Sequence, residues 1–255
     1  MIFDTHAHYN AEQFDSDRGE LLSSMPENGV GLIMNPASKE DEFEDIIELC
    51  DKYPFVYGAL GLHPEEVNEA EDTLLDSVKK YAAHPKIKAI GEIGLDYYWV
   101  KDNKELQKHW LGVQVDLARE LNLPVIIHDR DAHKDTLDVL REHRVWECGG
   151  VFHCYSGSAE MLGEILDWGM YIGFGGVLTF KNSAKPRRTA AAVPLDRLVI
   201  ETDCPYMAPV PMRGKRNSSI YLGYVAEVLA QIKGVSREEI EKITFDNGKR
   251  LYNIK

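Results

Sequence analysis

Ile87-Lys-Ala-Ile-Gly-Glu-Ile93 and Pro124-Val-Ile-Ile-His128, with the helical pattern of Leu106–Leu121 between them, read as one strand–helix–strand unit. The same unit recurs in both directions along the chain. Upstream, short β-rich runs fall at Ile2–His6, Val30–Asn35 and Val56–Leu62; downstream they fall at Gly150–His153, Tyr171–Gly175 and Leu198–Thr202. Segments of helical spacing separate them. Glu40–Tyr53 places Phe43, Ile46, Ile47 and Cys50 on one face, and Ala159–Trp168 and Ile220–Ile232 behave alike. Strands that alternate with helices imply crossover connections and a parallel sheet. Eight such units favour a closed (β/α)8 barrel over a doubly wound sheet, and 255 residues suit one barrel of roughly 250. Ser236-Arg-Glu-Glu239 reads as a capping box that opens a last helix, and Asn247-Gly248 as punctuation of the tail. With no linker, repeat or low-complexity tract, residues 1–255 are expected to form a single domain.

Composition narrows the class. With 44% hydrophobic and 28% charged residues, and no apolar run near the ~18 residues of a membrane span, an ordinary globular protein is expected. Met1-Ile2-Phe3-Asp4 offers no basic, then apolar, leader, so the expected location is cytoplasmic, without membrane attachment or an obligate protein partner. Cys50, Cys148, Cys154 and Cys204 show no CxxC pair and are expected to be free buried thiols. The net charge of −13 argues against an extended duplex-binding surface. Leu178–Ser219 departs from that balance. It holds eight Lys/Arg against three acids, a local +5, which leaves −18 on the remainder. A positive lip on an acidic body suits the grip of a few phosphates.

Ionisable residues gather where strands end. Asp4-Thr-His6-Ala-His8 closes the first strand, Glu92 the fourth, His128 the fifth, His153 the sixth and Asp203 the eighth. In a barrel these ends open on one face, so four imidazoles and two carboxylates converge. Imidazole with carboxylate suits divalent transition metals. His6 and His8, two apart in extended chain, point to one side and can share an ion. Glu92 can bridge two ions roughly 3.5–4 Å apart, as two-metal hydrolases require, and Asp203 can hold an ion and take the proton of an attacking water. His84, His109, His133 and His143 lie in helices or loops and are expected to play surface roles. The loop Arg213-Gly-Lys-Arg216 follows Asp203 by about ten residues and is stiffened by Pro205, Pro209 and Pro211. Arg presents a fork that matches phosphate oxygens, and Gly214 permits close backbone approach. Lys181 and Arg130 are weaker candidates for the same mouth.

These segments resemble the successive signatures of TatD-type metal-dependent hydrolases. The resemblance rests on Asp4–His8, Gly58-Ala-Leu-Gly-Leu-His-Pro64, Gly91-Glu-Ile-Gly-Leu-Asp-Tyr97, His128-Asp-Arg-Asp-Ala132, His153-Cys-Tyr-Ser-Gly157, Glu201-Thr-Asp-Cys-Pro-Tyr206 and Pro211–Asn217, in unbroken order. Two positions depart from the family's habit: Asn217-Ser218-Ser219 replaces Asn-Glu-Pro, and Tyr155 replaces Phe. The resemblance implies a barrel of the amidohydrolase-like kind and a deoxyribonuclease that works from the 3′ end of single-stranded DNA. It implies one ion on His6, His8, Glu92 and Asp203, a second on Glu92, His128 and His153, and His63 directed at the substrate phosphate. The expected cofactors are two divalent ions, Mg²⁺, Mn²⁺ or Zn²⁺. Asp203 and Glu92 are the expected catalytic residues; His63, Arg213 and Lys215 are expected to bind substrate. The competing expectation is a small-molecule amide, lactone or phosphoester hydrolase, against which the basic loop weighs.

Overall fold

All eight expected strands are present and parallel. They are β1 (Ile2–Asp4), β2 (Val30–Pro36), β3 (Val56–Leu60), β4 (Ile87–Asp96), β5 (Val125–Arg130), β6 (Gly150–Phe152), β7 (Tyr171–Phe174) and β8 (Leu198–Ile200). The computed structural model describes residues 1–71 and 73–255. Each strand pairs with its sequence neighbours, in the order β1 to β8. The last gap, between β8 and β1, is stitched above the strands. Thr5 N–H donates to Ile200 O at 3.2 Å, Asp203 N–H to His6 O at 2.9 Å and His8 N–H to Cys204 O at 2.8 Å. The result is a nearly closed barrel whose seam carries two of the expected histidines and Asp203.

Nine α-helices among the described residues alternate with the strands. They are α1 (Arg18–Ser23), α2 (Phe43–Lys52), α3 (Leu74–Ala82), α4 (Lys104–Leu121), α5 (His133–Glu142), α6 (Leu162–Asp167), α7 (Ala184–Ala192), α8 (Leu222–Lys233) and α9 (Arg237–Leu251). None is long and apolar enough to cross a membrane. Glu40, Ala159 and Ile220, expected within helices, lie instead in single 3₁₀ turns that lead into α2, α6 and α8.

The period-two pattern of the strands separates two cores. Phe3, Met34, Ala59, Ala89, Ile126, Val151, Tyr171 and Val199, one from each strand, pack together with Leu251, Tyr252 and Ile254 from the chain's end. Their alternates, among them Ile33, Ile127, Phe152 and Ile172, pack with the apolar faces of the helices. The inner set fills the barrel from below and leaves the end where the strands finish to polar side chains.

Two sequence readings are corrected. Asn247-Gly248 does not punctuate the tail; both lie inside α9. Asn247 donates to Leu195 O at 2.8 Å and Leu198 O at 2.6 Å, and a Cβ on Gly248 would lie 2.5 Å from the Phe3 ring. Here Gly serves close approach and Asn serves β8, so a turn signal was overridden by packing. The capping box at the start of α9 does form, with Ser236 accepting from Glu239 N–H at 3.1 Å. In addition, β4 runs on to Asp96 and β5 to Arg130, so Glu92 and His128 lie inside their strands rather than at the ends. Pairing with β5 slips between Ile90 and Ile93, and the Glu92 N–H turns to Ala37 O at 3.1 Å.

Candidate metal centre

Each expected site residue is set by backbone geometry before its side chain matters. β1 ends at Asp4, whose buried carboxylate accepts from Thr202 N–H at 2.9 Å, Thr202 Oγ1 at 2.6 Å and Ser219 Oγ at 2.6 Å. Asp4 is therefore a clamp on the seam, held there by Ser219, one of the two serines in the departing segment. Tyr9 continues the clamp, with its hydroxyl 2.8 Å from Ser219 Oγ and its N–H donating to Asn35 Oδ1 at 2.7 Å. The extended residues between these anchors aim His6 and His8 the same way.

Their Nε2 atoms lie 3.0 Å apart. Glu92 Oε2 is 3.3 Å from His6 Nε2 and 3.7 Å from His8 Nε2; Asp203 Oδ1 is 3.7 Å and 3.4 Å from the same atoms. A tetrahedral ion with bonds of about 2.1 Å separates its donors by roughly 3.4 Å, so this quartet has the spacing of a coordination shell. The other Glu92 oxygen faces a second group. Oε1 is 2.9 Å from His128 Nδ1 and 2.6 Å from His153 Nε2, and those two nitrogens are 3.3 Å apart. One carboxylate thus presents one oxygen to each of two donor groups. The residues present fit a binuclear divalent site.

Behind His128, Asp96 Oδ2 lies 3.0 Å from Nε2, which turns Nδ1 toward Glu92. The other Asp96 oxygen accepts from the N–H groups of Tyr98 and Trp99, at 2.9 and 2.8 Å. Asp96 stood in a quoted motif but drew no role from the sequence. α4 supplies two further positioning groups that its helical pattern hides. Gln107 and Gln114, two turns apart on one face, hydrogen-bond the backbone of Asp96 and Leu62, respectively.

The electrostatics follow from this crowding. Burial opposes ionisation of Glu92, but His153 and His6 outweigh it and hold the carboxyl well below its usual range. Asp203 is likewise held down, against burial, by His8 and then His153. Burial also opposes charge on His128 and His153, yet Asp96 and Glu92 lift the first to about 10, and Glu92 lifts the second to about 9. His6 falls to about 4 through burial and its neighbour His153. The raised imidazoles and the lowered carboxylates share one cause, groups of opposite charge packed together out of water.

His63 joins the second group, with Nε2 3.9 Å from Glu92 Oε1 and its ring 4.5 Å from that of His128. Position alone would allow it as a further donor beside Glu92 and His128. Its tautomer argues otherwise. Glu65 N–H donates to His63 Nδ1 at 3.2 Å, which leaves the proton of a neutral ring on Nε2. Burial, then His128, pushes this imidazole down to about 3, so it is neutral and presents N–H, not a lone pair, toward the site.

A cleft of about 300 Å³ opens beside these donors, lined by His128, His153 and Asp203 together with Tyr155, Leu178 and Met207. Met207 also borders a second hollow, with Phe180, Tyr206, Arg213 and Lys215. The Arg213 guanidinium stacks 3.9 Å over Phe180. Across the mouth, Arg130 stacks 4.4 Å over Tyr98 and 5.6 Å from Trp99, whose side chains are 46% and 62% exposed. Arg216 differs from its loop partners. It bonds Asp17 with both terminal nitrogens, at 2.8 and 2.5 Å, so it anchors the loop. Asn217 does the same from below, donating to Thr202 O and Tyr206 O. His84 and His143 pair with Asp51 and Asp116 away from the donor set, and His133 pairs with Asp129 beside the cleft. The cysteines are free: Cys50 and Cys204 are buried, and Cys148 and Cys154 are half-buried.

Comparison with known proteins agrees with this geometry. The family model of TatD related DNases matches residues 3–253. The chain is 44% identical over 254 residues to the uncharacterized metal-dependent hydrolase YabD of Bacillus subtilis, with all of both chains covered. It is 39% identical to YcfH of Escherichia coli, likewise named an uncharacterized metal-dependent hydrolase, covering all of this chain and 96% of that one. The crystal structure of YjjV, a TatD homologue from Escherichia coli K12, superposes with a TM-score of 0.92 at 32% identity, over 100% of this chain and 98% of that one. The chain belongs to the TatD-related family of metal-dependent hydrolases.

Proposed function

We propose that this TatD-family hydrolase, acting as one domain of residues 1–255, cleaves phosphodiester bonds at single-stranded DNA ends in the 3′ to 5′ direction. The observation that carries the reading is the placement of Glu92, with one oxygen in each of two donor groups beneath a mouth rimmed by cations and aromatic rings. His6, His8, Glu92 and Asp203 would hold one divalent ion, and Glu92, His128 and His153 the other. When bound, Mg²⁺, Mn²⁺ or Zn²⁺ would polarise the phosphoryl group and render a water nucleophilic.

The chain's own groups do the rest. Asp203 is kept ionised and takes the proton of the attacking water. His63 donates its Nε2–H to a phosphoryl oxygen, a role its Glu65 contact enforces. Arg213 and Lys215 grip the neighbouring phosphates. Tyr98 and Trp99 on one side, and Phe180 on the other, offer flat faces for unpaired bases, the means by which single strands are held without reading sequence. The few cations of this mouth suit a short strand better than a long duplex.

A second reading has its own observation. The cleft beside Asp203 is walled by Tyr155, Leu178 and Met207 and would accept a small ester. Time-resolved cleavage of an end-labelled single strand, with metal-stripped protein resupplied with each ion, separates the two. A ladder that shortens from the 3′ end and vanishes in Asp203→Asn is the expected result. Intact strand alongside turnover of a small phosphoester would leave the second reading.

A further inference from the structure

Three buried polar atoms beneath the donor groups have no hydrogen-bond partner among the described residues: Nδ1 of His6, Nδ1 of His153 and Oε2 of Glu201. Such groups are costly to leave unpaired, and orphans of this kind are few in native proteins. Here the three residues share one place. A nitrogen of His6, a nitrogen of His153 and an oxygen of Glu201 all lie within 4.8 Å of one another. The two rings stack at 4.0 Å with 14° between their planes, and His153 Nδ1 is 3.9 Å from Glu201 Oε1. The set holds two donors and one acceptor, a complementary count.

The surrounding backbone makes room for that carboxylate. A Cβ at Gly173 would sit 2.5 Å from Glu201 Oε2, so only glycine on β7 leaves the space it fills. The Cys154 N–H, adjacent to His153 in sequence, donates to Glu201 Oε1 and fixes its direction. An imidazole that offers its lone pair at Nε2 carries its proton on Nδ1. His6 and His153 both turn Nε2 to Glu92, and so both turn an N–H downward.

We infer that Glu201 is a positioning residue shared by the two halves of the metal centre. Its carboxylate receives the Nδ1–H of His6, which belongs to one donor group, and that of His153, which belongs to the other. The 3.9 Å gap to His153 is one that a small rotation of the carboxylate closes. Glu201 thereby fixes two tautomers at once. Asp96, by contrast, orients His128 alone. The inference rests on the binuclear reading of the site and is independent of which ester is cut.

The test is calorimetric titration of metal-stripped protein with Zn²⁺, resolving the two binding constants, beside nitrogen-detected NMR of the histidine rings in the zinc-loaded protein. Loss of an outer-shell partner of a ligating histidine weakens metal binding 10- to 100-fold. Glu201→Gln should therefore weaken both constants by about that factor and shift the Nδ1–H signals of His6 and His153. Asp96→Asn should weaken one constant only. Gly173→Ala displaces the Glu201 carboxylate without changing its charge and should reproduce the two-constant loss, even if the Gln variant folds poorly. Weakening of only one constant, or unmoved Nδ1–H signals in Gly173→Ala, would overturn the shared role. A wild-type protein that binds a single ion would remove the binuclear reading itself, and the shared role with it.

Discussion

The two ends of the barrel obey opposite rules. At the floor, where α9 closes the interior, polar groups are paired. Asn247 places its amide on two carbonyls, the Tyr252 hydroxyl donates to Thr5 O at 2.9 Å, and Gly248 lets Phe3 press against the helix. At the mouth the accounting is left open. Among the described residues, His6, His153 and Glu201 hold buried atoms that no direct hydrogen bond reaches, and four residues that line the cleft (Asp131, Cys154, Asp203 and Met207) have left-handed backbone, at φ between 42° and 55°, against one, Asn253, in the segment that closes the floor. Residues with a Cβ adopt that region at a cost of order 1 kcal/mol each, and persist there where surrounding structure holds them. The contrast separates residues kept for stability from residues kept for a ligand, within one continuous barrel.

The largest effect should come from breaking the mouth without touching the floor. Asp203→Asn should reduce turnover by about 10³-fold, the scale of a lost general base. Because His8 and His153 favour the Asp203 carboxylate in the folded state, the metal-stripped variant should melt slightly lower while still unfolding in one cooperative step. Rates and thermal melts on the same preparation check this, and a rate loss no larger than the fraction unfolded at the assay temperature would move Asp203 to the scaffold. A smaller effect is expected at the rim. Trp99→Ala and Arg213→Ala should each raise KM for a single-stranded oligonucleotide about tenfold, since a stacked base contributes about 1–3 kcal/mol. Hydrolysis of a base-free phosphoester should be unaffected by Trp99→Ala; equal losses on both substrates would deny it a stacking role.

The floor should respond in the complementary way. Gly248→Ala forces a methyl to within 2.5 Å of Phe3 and should destabilise the fold by about 1–3 kcal/mol, the usual cost of overpacking. Below its melting temperature the variant should keep wild-type kcat/KM. Denaturant unfolding and steady-state rates settle the matter, and a loss of activity without a loss of stability would show that the floor reports to the mouth.

What was legible in the sequence divides along the same line. The alternation of β runs with helical spacing announced all eight strands, because strands buried on both faces read as short apolar runs, distinct from the helical spacing between them. The histidines and carboxylates at strand ends were legible because their chemistry is rare in such places. Asn247 and Gly248 misled, since the residue types that favour turns are also those that permit close helix packing, and no local pattern tells the two uses apart. Asp96 and Glu201 were in view inside motifs but without roles, because a carboxylate that orients a histidine is recognised by distance, not by spacing. The loop that holds Arg216 read as a phosphate grip, and only the contact with Asp17 shows that Arg216 itself is bound to the scaffold.

One pair crosses the division and gives it a finer test. Asp129 lines the cleft, yet its carboxylate lies 2.6 Å from His133 Nδ1 at the start of α5. That hydrogen bond raises the His133 pKa, with burial opposing it. A folded-state value above the unfolded value of about 6.5 contributes stability that is complete below that pH and fades as pH climbs through the raised value. The difference in melting temperature between wild type and His133→Gln should therefore be greatest near pH 6 and shrink toward pH 9. Titrations shared by both proteins cancel in that difference. Rates should be little changed, as befits a floor-like pair at the mouth. If instead kcat/KM falls while the melting difference stays flat with pH, Asp129 and His133 belong to the chemistry, and the polar territory of the mouth extends to α5.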